Sequence, residues 1–158
     1  MSEDLSIRSA ELADLPRLKP LWLEFMSYHA EFGSRYQFFP DDWPGVLDRF
    51  TYYLRKKQGV IFVAEQNNRF VGYVFGFIFN NVPGFYPRKV GFINDFIVIE
   101  PMRHSGVGKK LAGNTQDWFS GQGVSVVQLY IAAANEAGFG FWRKCGFENY
   151  LAGLWKNI

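Results

Sequence analysis

The sequence predicts an α/β domain with a mixed, partly parallel central sheet and helices on both faces. Three observations predict it. Stretches with the apolar period of a strand and stretches with that of a helix follow one another in the order β-α-α-β-β-β-α-β-α-β. The chain has 158 residues, enough for one real core, with no repeat and no linker-like stretch, so residues 1–158 read as a single domain. From Phe92 to Leu111 an apolar, β-branched run passes through a glycine turn directly into an amphipathic pattern, which reads as strand, turn, helix.

The elements can be justified in chain order. Leu5-Ser6-Ile7-Arg8 alternates apolar and polar and predicts a first strand. Leu15, Leu18, Trp22, Phe25 and Met26 recur at three or four residues and predict a helix. Asp14 is its expected N-cap, Pro16 is tolerable in the first turn, and Pro20 should kink the helix or delay its start. From His29 to Trp43 aromatics are frequent but not periodic, so a loop is expected. Val46, Leu47, Phe50, Tyr53 and Leu54 mark a second helix.

Val60–Ala64 and Phe70–Phe79 read as a hairpin closed at Gln66-Asn67-Asn68-Arg69, because asparagine tolerates positive φ. Gly72 and Gly76 in the return strand predict bulges or close packing. Asn80 to Lys89, with Pro83 and Pro87, is a loop. The helix after the glycine turn should end near Gly121-Gln122-Gly123, followed by a strand over Val124–Ile131. A short helix is expected over Glu136–Cys145 with Gly146 as its stop, and a final strand over Tyr150–Lys156.

Composition narrows the function classes. The chain is 48% hydrophobic and 20% charged, which argues against disorder. A net charge of +2, with the basic residues scattered, gives no reason to expect a nucleic-acid partner. Every apolar run is interrupted by Arg, Asp or Glu, so no membrane span is expected. A single cysteine, Cys145, excludes an internal disulfide and fits a reducing compartment. Met1-Ser2-Glu3-Asp4 is acidic and does not read as a signal peptide, so a cytoplasmic protein is expected. His29 and His104 are the only histidines, and no Cys/His cluster has metal spacing.

The chemistry is concentrated at Arg103-His104-Ser105-Gly106-Val107-Gly108-Lys109. Free N–H groups at a helix start carry partial positive charge and hold phosphate well. Glycines let the backbone close around the oxygens, while Arg103, Lys109 and Lys110 add positive charge. A tight turn with glycines for geometry alone is the plainer alternative. There is no third glycine for a dinucleotide fingerprint and no P-loop pattern.

The complete pattern, Arg103-x-x-Gly106-x-Gly108 after an apolar strand, resembles the acyl-CoA pyrophosphate loop of the GNAT superfamily of N-acetyltransferases. The resemblance covers nearly the whole chain, only Phe32 to Trp43 being unconstrained by it. It implies a GNAT-like fold with six to seven strands, and acetyl-CoA as co-substrate with no metal. It implies that the amides from Arg103 to Lys109 hold the pyrophosphate while Phe96, Ile97 and Val98 meet the pantetheine arm and acetyl carbonyl. A homodimer through the C-terminal strand would also suit it.

Asn135, opening a helix after a strand, followed by Trp142 and Lys144-Cys145-Gly146-Phe147, is similar to the second GNAT signature. There the Asn side chain bonds the pantetheine arm, although Asn is equally a good helix cap. Many family members have Tyr where this chain has Trp142, as the acid that protonates the leaving thiolate. An indole cannot do that at useful pH, so Trp142 is expected to pack against the cofactor, and the acid is Tyr130, water or none at all.

Spermidine/spermine N-acetyltransferases are similar at Asn94-Asp95, with Glu-Asp at the matching pair. Asn94 cannot take a proton, and Asp95 can. A structural Asp at the splay of the sheet is the equal alternative. Phe38, Phe39, Tyr86 and Asn94 are the candidate substrate contacts, while Glu31, Asp41 and Asp42 read as solvated loop charges, with an acidic and aromatic rim for a cationic amine as the alternative.

The function expected is transfer of an acetyl group from acetyl-CoA to a primary amine, a small molecule, by direct attack in a ternary complex. A protein N-terminus or lysine as acceptor, and an acyl-CoA-binding module without turnover, are the alternatives.

Overall fold

The computed structural model describes residues 5–158. Met1–Asp4, on which the reading of the N-terminus rests, lie outside the described residues. One sheet contains β1 (Leu5–Ser9), β2 (Gly59–Gln66), β3 (Arg69–Asn80), β4 (Lys89–Val98) and β5 (Val127–Leu129), in that spatial order. The first four are antiparallel neighbours, and β5 pairs parallel to β4. The helices are α1 (Lys19–Ala30), α2 (Trp43–Arg55), α3 (Val107–Gly121) and α4 (Glu136–Lys144). Among the described residues no helix is long and apolar enough to cross a membrane.

Strand alternation divides the core between two faces. Ile61, Val63, Tyr73, Phe75 and Ile97 meet Trp22 of α1 and Phe50 of α2 on one side. Val71, Val74, Ile93 and Val98 meet Leu111 and Phe119 of α3 and Trp142 of α4 on the other. Burying each such side chain contributes about 1.5–3 kcal/mol, which fixes the strand register. Gly76 serves both expectations placed on it. It stands at a register irregularity, and a Cβ there would lie 2.9 Å from the Phe119 ring, so its bareness lets α3 approach the sheet.

The pairing of β3 with β4 runs Phe75↔Asp95 and then Gly76↔Ile93, so Asn94 is an extra residue bulged out of β4. The hairpin turn places Asn67 and Asn68 at φ 51° and 59°, as its sequence predicts.

Several expectations are corrected. The sheet has five strands rather than six to seven. β5 is three residues instead of the whole of Val124–Ile131, because among the described residues it pairs only with Gly91–Ile93 of β4. Tyr150–Lys156 is not a strand: these residues are exposed and pair with no edge, and β propensity without a partner does not make a ladder. The strand through which a dimer was expected to pair is therefore absent.

Asp14 is not an N-cap but lies inside a 3₁₀ turn, Leu12–Leu18, where it accepts the Glu11 N–H at 2.9 Å. Pro20 delays the start of α1, sitting in its first turn. The aromatic loop holds two short 3₁₀ turns, Ser34–Tyr36 and Pro40–Asp42, and Trp43 opens α2 with its ring buried against Trp22 and Phe50.

Candidate active site

The ladder between β4 and β5 ends at Ile93↔Leu129. Beyond it the two strands part. A cavity of about 800 Å³ fills the gap, lined by Asn94, Phe96, Ile97 and Val98 of β4 and by Leu129, Tyr130 and Ile131. It continues along Arg103, His104, Gly106, Gly108 and Lys109 at the start of α3 and along Asn135, Phe141 and Trp142 of the α4 segment. Sequence reasoning therefore named the part of this wall formed by β4, the glycine turn, Tyr130, Asn135 and Trp142.

The start of α3 is built for an anion. Its N-cap is Gly106, at φ 89°, a left-handed conformation that side chains adopt only with strain. No side chain caps the helix and no acid stands in its first turn. His104 also has positive φ, at 60°. Successive left-handed and right-handed residues of this kind turn their N–H groups into a concavity. Ser105 and Val107 do not line the cavity with their side chains. The Ser105 hydroxyl donates to Met102 O, and Val107 is buried in the core, so only their backbone N–H groups can serve a ligand.

Arg103 is held in place twice. Its Nε donates to Val98 O at 3.1 Å, and its guanidinium lies 5.5 Å over the Tyr28 ring. Tyr28 in turn donates its hydroxyl to Asn135 Oδ1 at 3.2 Å, joining α1 to the start of α4. The same Asn135 oxygen accepts Gly138 N–H at 2.9 Å, so the helix-cap reading of Asn135 is realised while the residue also faces the cavity. Trp142 is buried, with ring centroids 4.8 Å from Phe96 and 5.1 Å from Phe147.

Sequence reasoning missed Phe25, Tyr28 and His29, which close the cavity from α1. The signal was there: Phe25, Tyr28, His29 and Phe32 continue the helical stripe at i, i+3, i+4 and i+7. His29 is half-buried and in ring contact with Phe25 at 4.4 Å.

A second cavity, of about 380 Å³, lies on the α1–α2 side of the sheet. Phe38, Phe39, Met26 and Asp42 line it together with Asn94, Asp95 and Arg49. Asn94 and Phe25 border both cavities, so the bulge in β4 is their junction. Asp42 thus faces a cavity rather than only solvent. Tyr86, expected at the acceptor rim, is 90% exposed in the loop before β4 and lines neither cavity. Tyr130 is 68% exposed and in edge contact with Phe92.

Asp95 is 3% exposed. Its Oδ2 accepts the Tyr73 hydroxyl at 2.7 Å, and its Oδ1 accepts Nδ2 of Asn94. Burial raises its pKa above the ordinary carboxylate value, and these two hydrogen bonds oppose the rise only in part. Burial likewise raises the Cys145 thiol, on the wall of the first cavity, which keeps it a poor nucleophile.

The chain is 21% identical over 144 residues to YhfO, an uncharacterised N-acetyltransferase of Bacillus subtilis (strain 168), covering 91% of this chain and 90% of that one. A predicted acetyltransferase from Clostridium acetobutylicum, solved with acetyl-CoA, superposes with a TM-score of 0.81 at 16% identity, over 98% of this chain and 96% of that one. The aminoglycoside N-acetyltransferase AAC(6')-Iy, solved with CoA, superposes with a TM-score of 0.80 at 18% identity, over 100% and 97%. At such identities the solved structures speak for the fold. Residues 21–147, from α1 through the glycine turn to Phe147, match the acetyltransferase (GNAT) family, and the chain belongs to that family.

Proposed function

We propose that the protein transfers the acetyl group of acetyl-CoA to a primary amine of a small molecule, by direct attack within a ternary complex. The observation that carries this reading is the uncapped start of α3, opening on the cavity where β4 and β5 separate. The residues present fit the cofactor. Backbone N–H groups from Arg103 to Lys109 would hold its pyrophosphate, Phe96, Ile97 and Val98 its pantetheine arm, and Trp142 would pack against the thioether. Acetyl-CoA solved with one structural neighbour and CoA with another support the choice of co-substrate. When bound, it supplies an activated acetyl thioester.

The acceptor would enter from the second cavity and reach the junction at Asn94. Asp95 takes the amine proton, directly or through water. Burial raises its basicity toward neutral pH, where a general base works best. Tyr130 returns a proton to the leaving thiolate. Placement does the rest, and holding two reactants in attack geometry can contribute about 7–11 kcal/mol. A protein acceptor is the weaker reading, since the acceptor cavity is of small-molecule size at about 380 Å³.

The test is thiol release from acetyl-CoA over a broad amine panel, with acetyl-CoA affinity measured separately by calorimetry. Tight binding together with amine-dependent release is expected. Tight binding with no release for any amine would leave a binding module instead.

A further inference from the structure

We propose, resting on the acetyl-transfer reading above, that the acceptor is a free α-amino acid with an apolar or aromatic side chain. Its carboxylate would lie on Arg49, its amino group beside Asn94, and its side chain in the second cavity. The nitrogen bonds the acetyl carbonyl carbon, the carbon–sulfur bond breaks, and the thiolate leaves and takes up a proton. The ammonium gives one proton to Asp95 and the second to water as the amide forms.

Three features of the second cavity carry this. The first is its lining: Trp22, Phe25, Phe38, Phe39 and Phe50 make it an aromatic slot. An apolar body fits among these rings, and the polar part of the lining, Gln37, Asp42, Arg49, Asn94 and Asp95, is left for a charged head group. The second is Arg49. Among the described residues the ion pairs belong to Arg8 and Arg17, and Arg49 takes part in none. Its guanidinium is braced 5.2 Å over the Phe77 ring and 5.7 Å over the Phe75 ring, which fixes the fork in the form suited to a carboxylate. Among the residues lining this cavity Arg49 is the cation and Asp42 and Asp95 are carboxylates, so Arg49 marks a place for the acceptor's negative group while the carboxylates suit its ammonium.

The third is distance. Arg49 Nη2 lies 3.4 Å from Asn94 Oδ1, and Asn94 is the residue where the two cavities meet. An acceptor held by Arg49 must therefore carry its reacting nitrogen close to its negative charge. An α-amino acid does so, with both groups on one carbon. A peptide N-terminus has a neutral amide in place of that carboxylate, and a lysine side chain holds its amine far from one.

The experiment compares kcat/KM, by thiol release, for L-phenylalanine, L-leucine, phenethylamine, spermidine and a lysine peptide. Phenethylamine has the body and amine of phenylalanine without the carboxylate. Phenylalanine should exceed it by roughly 10- to 100-fold, the range of one charge-assisted contact. In Arg49→Met that ratio should collapse toward one, and Arg49→Lys, which keeps the charge but not the fork, should retain part of it. Melting curves identify a variant that fails to fold, and the wild-type ratio stands without either variant. Phenethylamine, spermidine or the peptide equalling phenylalanine would overturn the acceptor assignment and leave acetyl transfer intact. No turnover of any amine despite calorimetric acetyl-CoA binding would overturn the transfer reading and this one with it.

Discussion

Tyr73 donates its hydroxyl proton to Asp95 Oδ2 at 2.7 Å, across neighbouring strands and with both side chains buried. The contact continues outward, since Asp95 accepts from Asn94, whose own oxygen accepts from Arg49. A core tyrosine is thus linked through the bulge of β4 to the rim of the second cavity. If Asp95 receives the amine proton, Asp95→Asn should lower kcat by roughly 10²–10⁴-fold with little change in acetyl-CoA affinity. The residual rate should rise with pH, because solvent must then deprotonate the amine. A near-normal kcat in the folded variant would remove Asp95 from the proton path. Steady-state pH profiles decide this.

Gly106→Asp should abolish acetyl-CoA binding. Its Cβ would meet nothing within 4 Å, so packing is not the reason. The φ of 89° strains any side chain, at about 1 kcal/mol, and the new carboxylate stands where a pyrophosphate should sit. Gly108→Asp should do the same, its Cβ lying 3.2 Å from the Phe141 ring, which must shift by a few tenths of an ångström. Undiminished affinity by calorimetry in both would sink the phosphate-loop reading.

Asn135 can be divided into its two roles. Asn135→Asp keeps a good cap, so melting should change little, while the amide donor toward the cavity is lost and acetyl-CoA should bind more weakly. Asn135→Ala should lose both, with about 0.5–2 kcal/mol of stability. Equal acetyl-CoA affinity in wild type and Asn135→Asp would make the residue a cap alone.

Asp14 predicts an acid-sensitive contribution to stability away from the site. The Arg8 guanidinium donates to both its oxygens and, with Glu11 N–H and Arg17, lowers its pKa from 3.8 to about 2. A lowered carboxylate pKa stabilises the fold above the unfolded value, and that contribution is lost as pH falls toward 2. The two guanidiniums are partly exposed, so roughly 1–2 kcal/mol is expected at pH 7. Denaturant melts of wild type and Asp14→Asn should differ by that amount at pH 7 and converge near pH 2.

How much the sequence by itself determined follows from where the information is local. Glycines with positive φ, asparagines in a turn and apolar periodicity are properties of neighbouring residues. From them came α2, most of α1, the hairpin and the strand–turn–helix at Gly106, while the family resemblance rather than local pattern supplied Phe96, Asn135 and Trp142 as cavity residues. The tertiary structure decided what depends on partners. Tyr150–Lys156 has strand propensity but no edge to pair with, and β5 stops where β4 turns away. That Tyr73 and Asn94 are the hydrogen-bond partners of Asp95 is visible only once β3 and β4 are paired. Tyr28 meets Asn135 across 107 positions of chain, and Arg49 meets Asn94 across 45. Such contacts leave no mark on local pattern, because packing between distant elements, not the propensity of either, selects them.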